Sequence, residues 1–442
     1  MRVRVTMVGT GYVGLVSGAC FAELGHEVIC VDKDESKIAM LRAGKMPIYE
    51  PGLDELVQRN VQAGRISFST DVTASVKDRD AIFIAVGTPT ENGTGRADLQ
   101  YVYAAAAEIA QATTGFTVIV TKSTVPVGTN SRVFDIAQQN VAPDARIAVA
   151  SNPEFLREGA AIKDFLEPDR VVVGVEDAEA AEMMERIYAP LLLHGKVPFF
   201  KTGIQTAELI KYAANAFLAV KISFIDEIAN LCEAVGANVD DVARGLGFDK
   251  RIGQGFLNTG PGWGGSCFPK DTRALIATAS DAGVRSMVVS SAVEANNTRK
   301  MDMVSKIVGA AGGDVKDKKI AVLGVTFKGQ TDDMREGTSL VVLPALQAMG
   351  AEVVAYDPSN PHDAASLLPG VTMMTSPKEA AQDADLLVIL TDWMIFKAYD
   401  FKAISSVMAS PVLVDLRNML NANEAKRSGF THYVSLGREH RA

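Results

Sequence analysis

At 442 residues, 48% hydrophobic and 22% charged, with 37 glycines and 17 prolines, the chain has the composition of a globular protein of roughly three domains. Disorder and collagen are excluded. A formal net charge of −9 argues against a nucleic-acid partner or an anionic membrane surface, both of which select basic patches, so any anionic ligand must meet local positive charge.

The opening residues, Arg2 and Arg4 before the uncharged run Val5 to Ala22, have the outline of a targeting signal. Gly9, Gly11, Gly14 and Gly18 interrupt that run and it passes straight into a second apolar strand, so it reads as part of the fold. Four scattered cysteines (Cys20, Cys30, Cys232, Cys267) make no disulfide framework, no His or Cys spacing suits a metal, and the expected compartment is the reducing cytoplasm.

Continuous Val- and Ile-rich runs at Val3 to Val8, Val28 to Val31, Ala81 to Val86, Val118 to Val120, Ile147 to Ala150 and Val171 to Val175 suit parallel strands buried on both faces. A stretch without Gly or Pro follows from Thr206 to Val235, where Leu209, Ala213, Phe217, Ile225 and Ile228 recur at helical spacing. A second α/β pattern runs from Lys318 through Glu352 to Asp357, Leu386 to Leu390 and Val412 to Asp415. The phrase Gly25 to Asp32 rhymes with Gly350 to Asp357. The expected fold is α/β: two Rossmann-like doubly wound parallel-sheet domains, 1–203 and 316–442, joined by a central helical domain, 204–302, with one long helix.

Gly9-Thr10-Gly11-Tyr12-Val13-Gly14 leaves a strand, opens a helix and is followed 18 residues after Gly14 by Asp32 at the next strand end. That context makes G-x-G-x-x-G a dinucleotide fingerprint: a tight turn, a close backbone approach to pyrophosphate, and a carboxylate for ribose hydroxyls that repels a 2′-phosphate and so favours NAD. The second copy, Gly324 to Gly329, lacks the phosphate-loop glycines and predicts an altered nucleotide site. Thr88-Pro89 and Lys122-Ser123-Thr124-Val125-Pro126 follow strands at the edge where open sheets bind ligands, and for Ser123 and Thr124 turn capping is an equal reading.

The segment Gly260 to Asp271 holds Cys267 among glycines, with Lys270 and Asp271 close behind, a setting for a stabilised thiolate. Lys211 and Asn215 share one face of the long helix, with Glu208 a turn earlier; from spacing alone a functional pair on that face and an ordinary Glu208–Lys211 surface pair are equal readings. Glu154 and Glu158, four apart after a strand end, serve either as base and ligand contact or as a solvated first helical turn.

Gly-Thr-Gly-Tyr-Val-Gly, Lys-Ser-Thr-Val-Pro, Asn-Pro-Glu-Phe-Leu-Arg-Glu-Gly, Lys211 with Asn215, Gly-Gly-Ser-Cys-Phe-Pro-Lys-Asp and Phe327-Lys328 follow one another across residues 9 to 335. Together they resemble the UDP-glucose/GDP-mannose dehydrogenase family. The resemblance implies an NAD-dependent, four-electron oxidation of UDP-glucose to UDP-glucuronate. In it Cys267 forms a thiohemiacetal and then a thioester, Lys211 steadies the oxyanion, Asp271, Thr124 and Glu154 manage protons and water, and Asn215 orients water or sugar. It further implies cofactor contacts at Gly9, Gly11, Tyr12, Val13, Gly14, Asp32, Lys37, Thr88, Pro89, Ser123, Thr124, Glu158, Lys270 and Arg335. Substrate contacts are implied at Glu154, Phe155, Leu156, Glu158, Lys211, Asn215, Phe256, Leu257, Asn258, Thr259, Gly260, Gly264, Lys328 and Arg417. Arg251 is expected to reach a partner subunit's substrate in a homodimer or higher oligomer. Arg417 also has the plain reading of a surface arginine. The competing readings are GDP-mannose or a UDP-N-acetylhexosamine as substrate, a two-electron β-hydroxyacid dehydrogenase, which would leave Cys267 unexplained, and an inactive nucleotide-sugar-binding regulator.

Overall fold

A computed structural model describes residues 2–91, 94–193 and 195–438; the expected outer domain limits, 1 and 442, lie outside them. The chain packs as two compact units, 1–214 with 273–283, and 215–272 with 284–442, so the helical segment expected at 204–302 is shared between them.

The first unit is built on strands β1 (Arg4–Val8), β2 (Glu27–Val31), β3 (Ile66–Ser69), β4 (Ala81–Ile84), β5 (Phe116–Thr121), β6 (Arg146–Ser151), β7 (Val171–Val175) and β8 (Phe199–Thr202). Their order is β3-β2-β1-β4-β5-β6-β7-β8. The chain reverses its winding between β1 and β4, which opens a ligand crevice at the carboxyl ends of those strands. One pair departs from the expected parallel pattern. β6 and β7 run antiparallel, with Ala150 opposite Val175, because only the six-residue helix Ala161–Leu166 lies between them and no full crossover is made. Buried aromatics, Phe21 against Phe83 and Phe165 at 5.0 Å between ring centres, fill one face of the sheet.

In the second unit β9 (Lys319–Leu323), β10 (Glu352–Tyr356), β11 (Thr372–Met373), β12 (Leu386–Ile389), β13 (Val412–Asp415) and β14 (His432–Val434) form an all-parallel sheet in the order β11-β10-β9-β12-β13-β14. Strands β3, β8, β11 and β14 went unread in the sequence; they are short edge or near-edge strands with partly exposed, polar-interrupted residues.

The long helix spans Ile204–Val235, 32 residues or about 48 Å. Its apolar periodicity misleads about its faces. Leu209 and Phe217 are exposed, while the polar residues Glu208, Lys211, Asn215, Ser223 and Asp226 are buried. Glu208 does not pair with Lys211: its carboxylate accepts from the backbone N–H of Gly128 (2.7 Å) and Asn130 (2.8 Å) and from the Asn130 amide, capping the helix Thr129–Asn140.

The turn after β1 separates two kinds of glycine. A methyl group on Gly14 would lie 2.0 Å from the Gly9 carbonyl oxygen, whereas one on Gly11 would meet nothing within 4 Å. Gly14→Ala is therefore expected to destabilise the fold by about 3 kcal/mol. Gly11→Ala should stay within about 1 kcal/mol of the parent, the cost of a poorer helix cap. Urea unfolding midpoints of the two variants measure the difference.

Candidate active site

The glycine turn of the first unit enters the helix Tyr12–Glu23 with Gly11 at its N-cap, so the first backbone N–H groups face the strand ends without a side chain over them. Asp32 is fixed beside it: Oδ2 accepts from the Thr10 N–H and hydroxyl, both at 2.8 Å, and Oδ1 accepts from the Asp34 N–H at 3.0 Å. A carboxylate has about four lone-pair sites, so Oδ1 keeps capacity for a ribose hydroxyl. The cradle fits a dinucleotide. Val13 follows Tyr12 in the helix and is partly buried, packed on the core. Lys37 stands 3.9 Å from Asp34, the N-cap of its own helix.

Tyr12 bonds Glu50, a buried carboxylate the sequence reading missed. Glu50 also accepts from the N–H of Gly159 (2.6 Å) and Ala161 (2.7 Å), so it anchors the loop that carries Glu154, Phe155, Leu156 and Glu158. Burial first, and then the Glu50 carboxylate, raise the Tyr12 phenol well above its ordinary value. Nothing in the Tyr-Glu-Pro-Gly context of Glu50 marks it in advance.

At the carboxyl edge the Thr88 hydroxyl donates to the Thr124 carbonyl (3.1 Å), and Pro89 accepts from the Asp98 N–H (2.8 Å). The Ser123 hydroxyl donates to the Val86 carbonyl (2.7 Å), which joins the two loops. Glu154 and Lys211 form a buried pair at 3.1 Å, both side chains about 5% exposed or less. This replaces the solvated-turn reading for Glu154. The Lys211 ammonium also lies 5.3 Å from the ring centre of Phe155. The Glu154 Oε2 accepts from the Leu156 N–H at 2.5 Å, holding the carboxylate against its own loop. Lys122, for which no role was read, is buried and donates to Asn152 Oδ1 (3.1 Å) and the Tyr188 hydroxyl (3.2 Å). Burial pushes its ammonium down to about 8, opposed by the charge of Glu154.

In the second unit Cys267 precedes the helix Phe268–Asp281 and is partly exposed, with the Ser266 hydroxyl 3.5 Å from its sulfur. One turn on, Asp271 donates its N–H to the Cys267 carbonyl (2.9 Å). The Asp271 carboxylate is gripped from both sides, by the Asn215 amide at 2.6 Å and the Lys270 ammonium at 2.6 Å. Cys20, Cys30 and Cys232 are buried; burial raises all three thiols, Cys30 to about 12. Of the four thiols only Cys267 is not buried.

The glycines before Cys267 meet close neighbours: a methyl on Gly264 would lie 2.3 Å from the Glu336 carbonyl oxygen, and one on Gly265 2.8 Å from the Phe327 ring. The loop leading to them holds Phe256 at φ 64°, a left-handed conformation costly for a bulky residue, and buries Leu257, Thr259 and Gly260. Asn258 is exposed. Arg417 is not a free surface arginine. Its Nε donates to the Leu390 carbonyl (3.0 Å) and an Nη to the Phe327 carbonyl (2.9 Å), and a methyl on Gly260 would come 3.2 Å from the other Nη. Lys328 stands 5.5 Å over the Phe327 ring. Arg335 pairs with Asp333 (2.8 Å) and Arg251 with Asp249 (2.6 Å), both guanidinium groups facing solvent.

Asp357, the counterpart of Asp32, accepts from the N–H of Val325 (2.8 Å) and is covered by Trp393, whose Nε1–H points at it from 3.3 Å. The second turn thus keeps the acid and closes it off. Among the described residues no group of three or more His, Cys, Asp or Glu is arranged to hold a metal ion, and no helix is long and apolar enough to cross a membrane.

Three family models match in chain order: the UDP-glucose/GDP-mannose dehydrogenase NAD binding domain at residues 3–192, its central domain at 205–298 and its UDP binding domain at 321–422. The chain is 55% identical over 438 residues to a UDP-glucose 6-dehydrogenase of Rhizobium meliloti, covering 99% of this chain and 100% of that one. It is 46% identical to one from Bacillus subtilis, with 98% and 93% covered. A UDP-glucose dehydrogenase structure from Pyrobaculum islandicum superposes with a TM-score of 0.90 at 36% identity, covering 98% and 97%. With three domain models matched in order and its relatives matched over nearly their whole length, the chain belongs to the UDP-glucose/GDP-mannose dehydrogenase family.

Proposed function

We propose that the protein oxidises the C6 alcohol of UDP-glucose to the carboxylate, using two NAD per sugar. The observation that carries this reading is the Asp271 carboxylate held between Asn215 and Lys270, one helical turn from the partly exposed Cys267. A nucleophile with an adjacent positioned base needs this arrangement. UDP-glucose is favoured over GDP-mannose and the N-acetylhexosamines by 55% identity, over the full chain, to a protein named for that sugar.

Gly9, Gly11 and Gly14, with Asp32, would hold NAD along the β1 turn. When bound, it supplies an acceptor for the hydride that leaves C6 in each oxidation. The chain's own residues do the rest. In the first oxidation the C6 hydroxyl proton passes to water as the hydride leaves, giving the aldehyde; Asp271 takes the thiol proton, the Cys267 sulfur bonds to the aldehyde carbon and that proton passes to the carbonyl oxygen, giving a thiohemiacetal whose hydroxyl proton Asp271 takes in the second oxidation. Lys211 balances the negative charge that develops on the sugar oxygen. The second oxidation leaves a thioester on Cys267. A water, for whose handling the family resemblance implies Glu154, Thr124 and Asn215, adds to the thioester carbon; the C–S bond breaks, the leaving sulfur takes one proton of that water, and the carboxylate departs. Lys328 and Arg417 answer the diphosphate, which a chain of net charge −9 must meet with local cations. The reaction belongs in the cytoplasm, which suits four thiols that form no disulfide.

A homodimer is the assembly we infer. Phe217, Phe224 and Leu231 repeat every seven residues along the long helix and are 65%, 46% and 55% exposed, a seam of the kind that pairs with a second copy. The exposed Arg251 is then free to reach the partner's substrate.

Limiting UDP-glucose with excess NAD should yield two NADH per sugar by absorbance, and GDP-mannose none. Cys267→Ser should abolish acid formation while Cys20→Ser retains it; equal loss in both overturns the nucleophile assignment. Gly11→Ala should weaken NAD binding at least tenfold by calorimetry while its unfolding midpoint holds. Phe224→Asp should give a monomer in sedimentation, and a persistent dimer would remove that face from the interface.

A further inference from the structure

Two buried charges outside the proposed chemistry converge on the loop before Cys267. Asp226, on the long helix, and Arg299, on the helix Met287–Ala310, are 5% and 3% exposed and stand 3.7 Å apart. Both spend their hydrogen bonds on one dipeptide. Asp226 Oδ1 accepts from the Thr259 hydroxyl (2.8 Å) and the Gly260 N–H (2.9 Å). Arg299 Nε donates to the Gly260 carbonyl (2.9 Å), and Nη2 to the Thr259 hydroxyl (3.2 Å). The other nitrogen, Nη1, bonds Asn230.

The same two helices repeat the device three residues on. Asn296 accepts from the Trp263 N–H (2.7 Å) and donates to its carbonyl (3.1 Å), and the indole N–H donates to Ser223 (3.0 Å). The backbone N–H and C=O of both Gly260 and Trp263 are thus taken by side chains. A loop rich in glycine has no side chains of its own to fix it, so its shape is imposed from outside. An ion pair is an expensive way to do so, because both charges are desolvated; its return is a fixed geometry and not net stability. Burial raises the Asp226 carboxyl, and Arg299 opposes that rise.

We propose that Asp226 and Arg299 are positioning residues that set the Thr259–Gly260 backbone for the UDP-sugar, so that substrate affinity depends on a charge pair that touches neither substrate nor cofactor. The inference rests on the reading of 256–260 as the substrate loop. Gly260 lies under the Arg417 guanidinium, so a shift at Gly260 alters the space beside that cation. Behind the pair, a cavity of about 330 Å³ opens between the two helices, lined by Asp226, Asn230, Asn296 and Arg299 among others. It has room for a free guanidinium ion.

Initial rates of the full-length enzyme test this with Arg299→Lys, which keeps the charge and loses the fork, and Asp226→Asn, which keeps the shape and loses the charge. Both should raise the KM for UDP-glucose at least tenfold and leave the KM for NAD within twofold. In Arg299→Ala, millimolar guanidinium should restore UDP-glucose kcat/KM saturably, and sodium should not. Asn258→Ala, in the loop and outside the clamp, tests the loop reading separately: an unchanged UDP-glucose KM there removes that reading. A raised KM in Asn258→Ala with unchanged constants in Arg299→Lys and Asp226→Asn overturns the clamp, as does a parallel rise in both KM values. Should Arg299→Ala fail to fold, the Arg299→Lys split decides.

Discussion

The structure depends on one helix that buries its polar side. Glu208, Lys211, Asn215 and Asp226 lie 2%, 3%, 6% and 4% exposed, in a protein interior where an unpaired charge is very costly. Each finds a partner outside the helix, in a loop or in the first turn of another helix. In the first unit Glu208 holds the turn at Gly128 to Asn130, and Lys211 holds Glu154. In the second, Asn215 holds Asp271, and Asp226 holds Thr259 and Gly260. The price falls on the opposite face, where Phe217, Phe224 and Leu231 face outward.

The two sheets share one strand order around their switch points, yet their first turns have diverged in a physically legible way. Both keep a left-handed glycine, Gly9 at φ 105° and Gly324 at φ 88°, and both place an acid at the second strand's end to accept from the next N–H. Asp32 retains an oxygen with spare capacity. Asp357 is sealed beneath Trp393 and bonded to Val325, Thr326 and Ser359. That edge carries the cations Lys328 and Arg417, with the Asp392 carboxylate 4.0 Å from Arg417, and two cations suit phosphate better than ribose.

Much of this was legible because parallel strands buried on both faces write themselves as unbroken apolar runs, and the six runs of the first half all became strands. Strand β3 did not, because Ile66-Ser67-Phe68-Ser69 alternates as an edge does. The β1 turn was legible for a similar reason: its chemistry is local, and every part lies within about twenty residues. The partners of the long helix were not. Glu208 three residues before Lys211 reads as a surface pair, and only the fold reveals that one reaches Asn130 and the other Glu154. Asp226 and Arg299, 73 residues apart, carry no sequence signal beyond being charged. Buried polar networks are specified by three-dimensional satisfaction, which periodicity does not encode.

The same reasoning explains how an acidic protein makes a place for an anion. Net charge acts over the whole surface and is screened within about 8 Å at physiological salt, whereas a buried cation acts undiluted at short range. Lys122 is such a cation: its hydrogen bonds go to an amide and a phenol, both neutral, and its ring neighbours Phe165 and Tyr188 lie 5.6 Å and 5.9 Å away. Its charge is therefore not cancelled at hydrogen-bond distance. Through Asn152 it also fixes the strand end from which Glu154 departs. Lys122 and Lys211 thus both stand buried near Glu154, two cations beside one carboxylate in the interior. The surface sets solubility; the interior sets the chemistry.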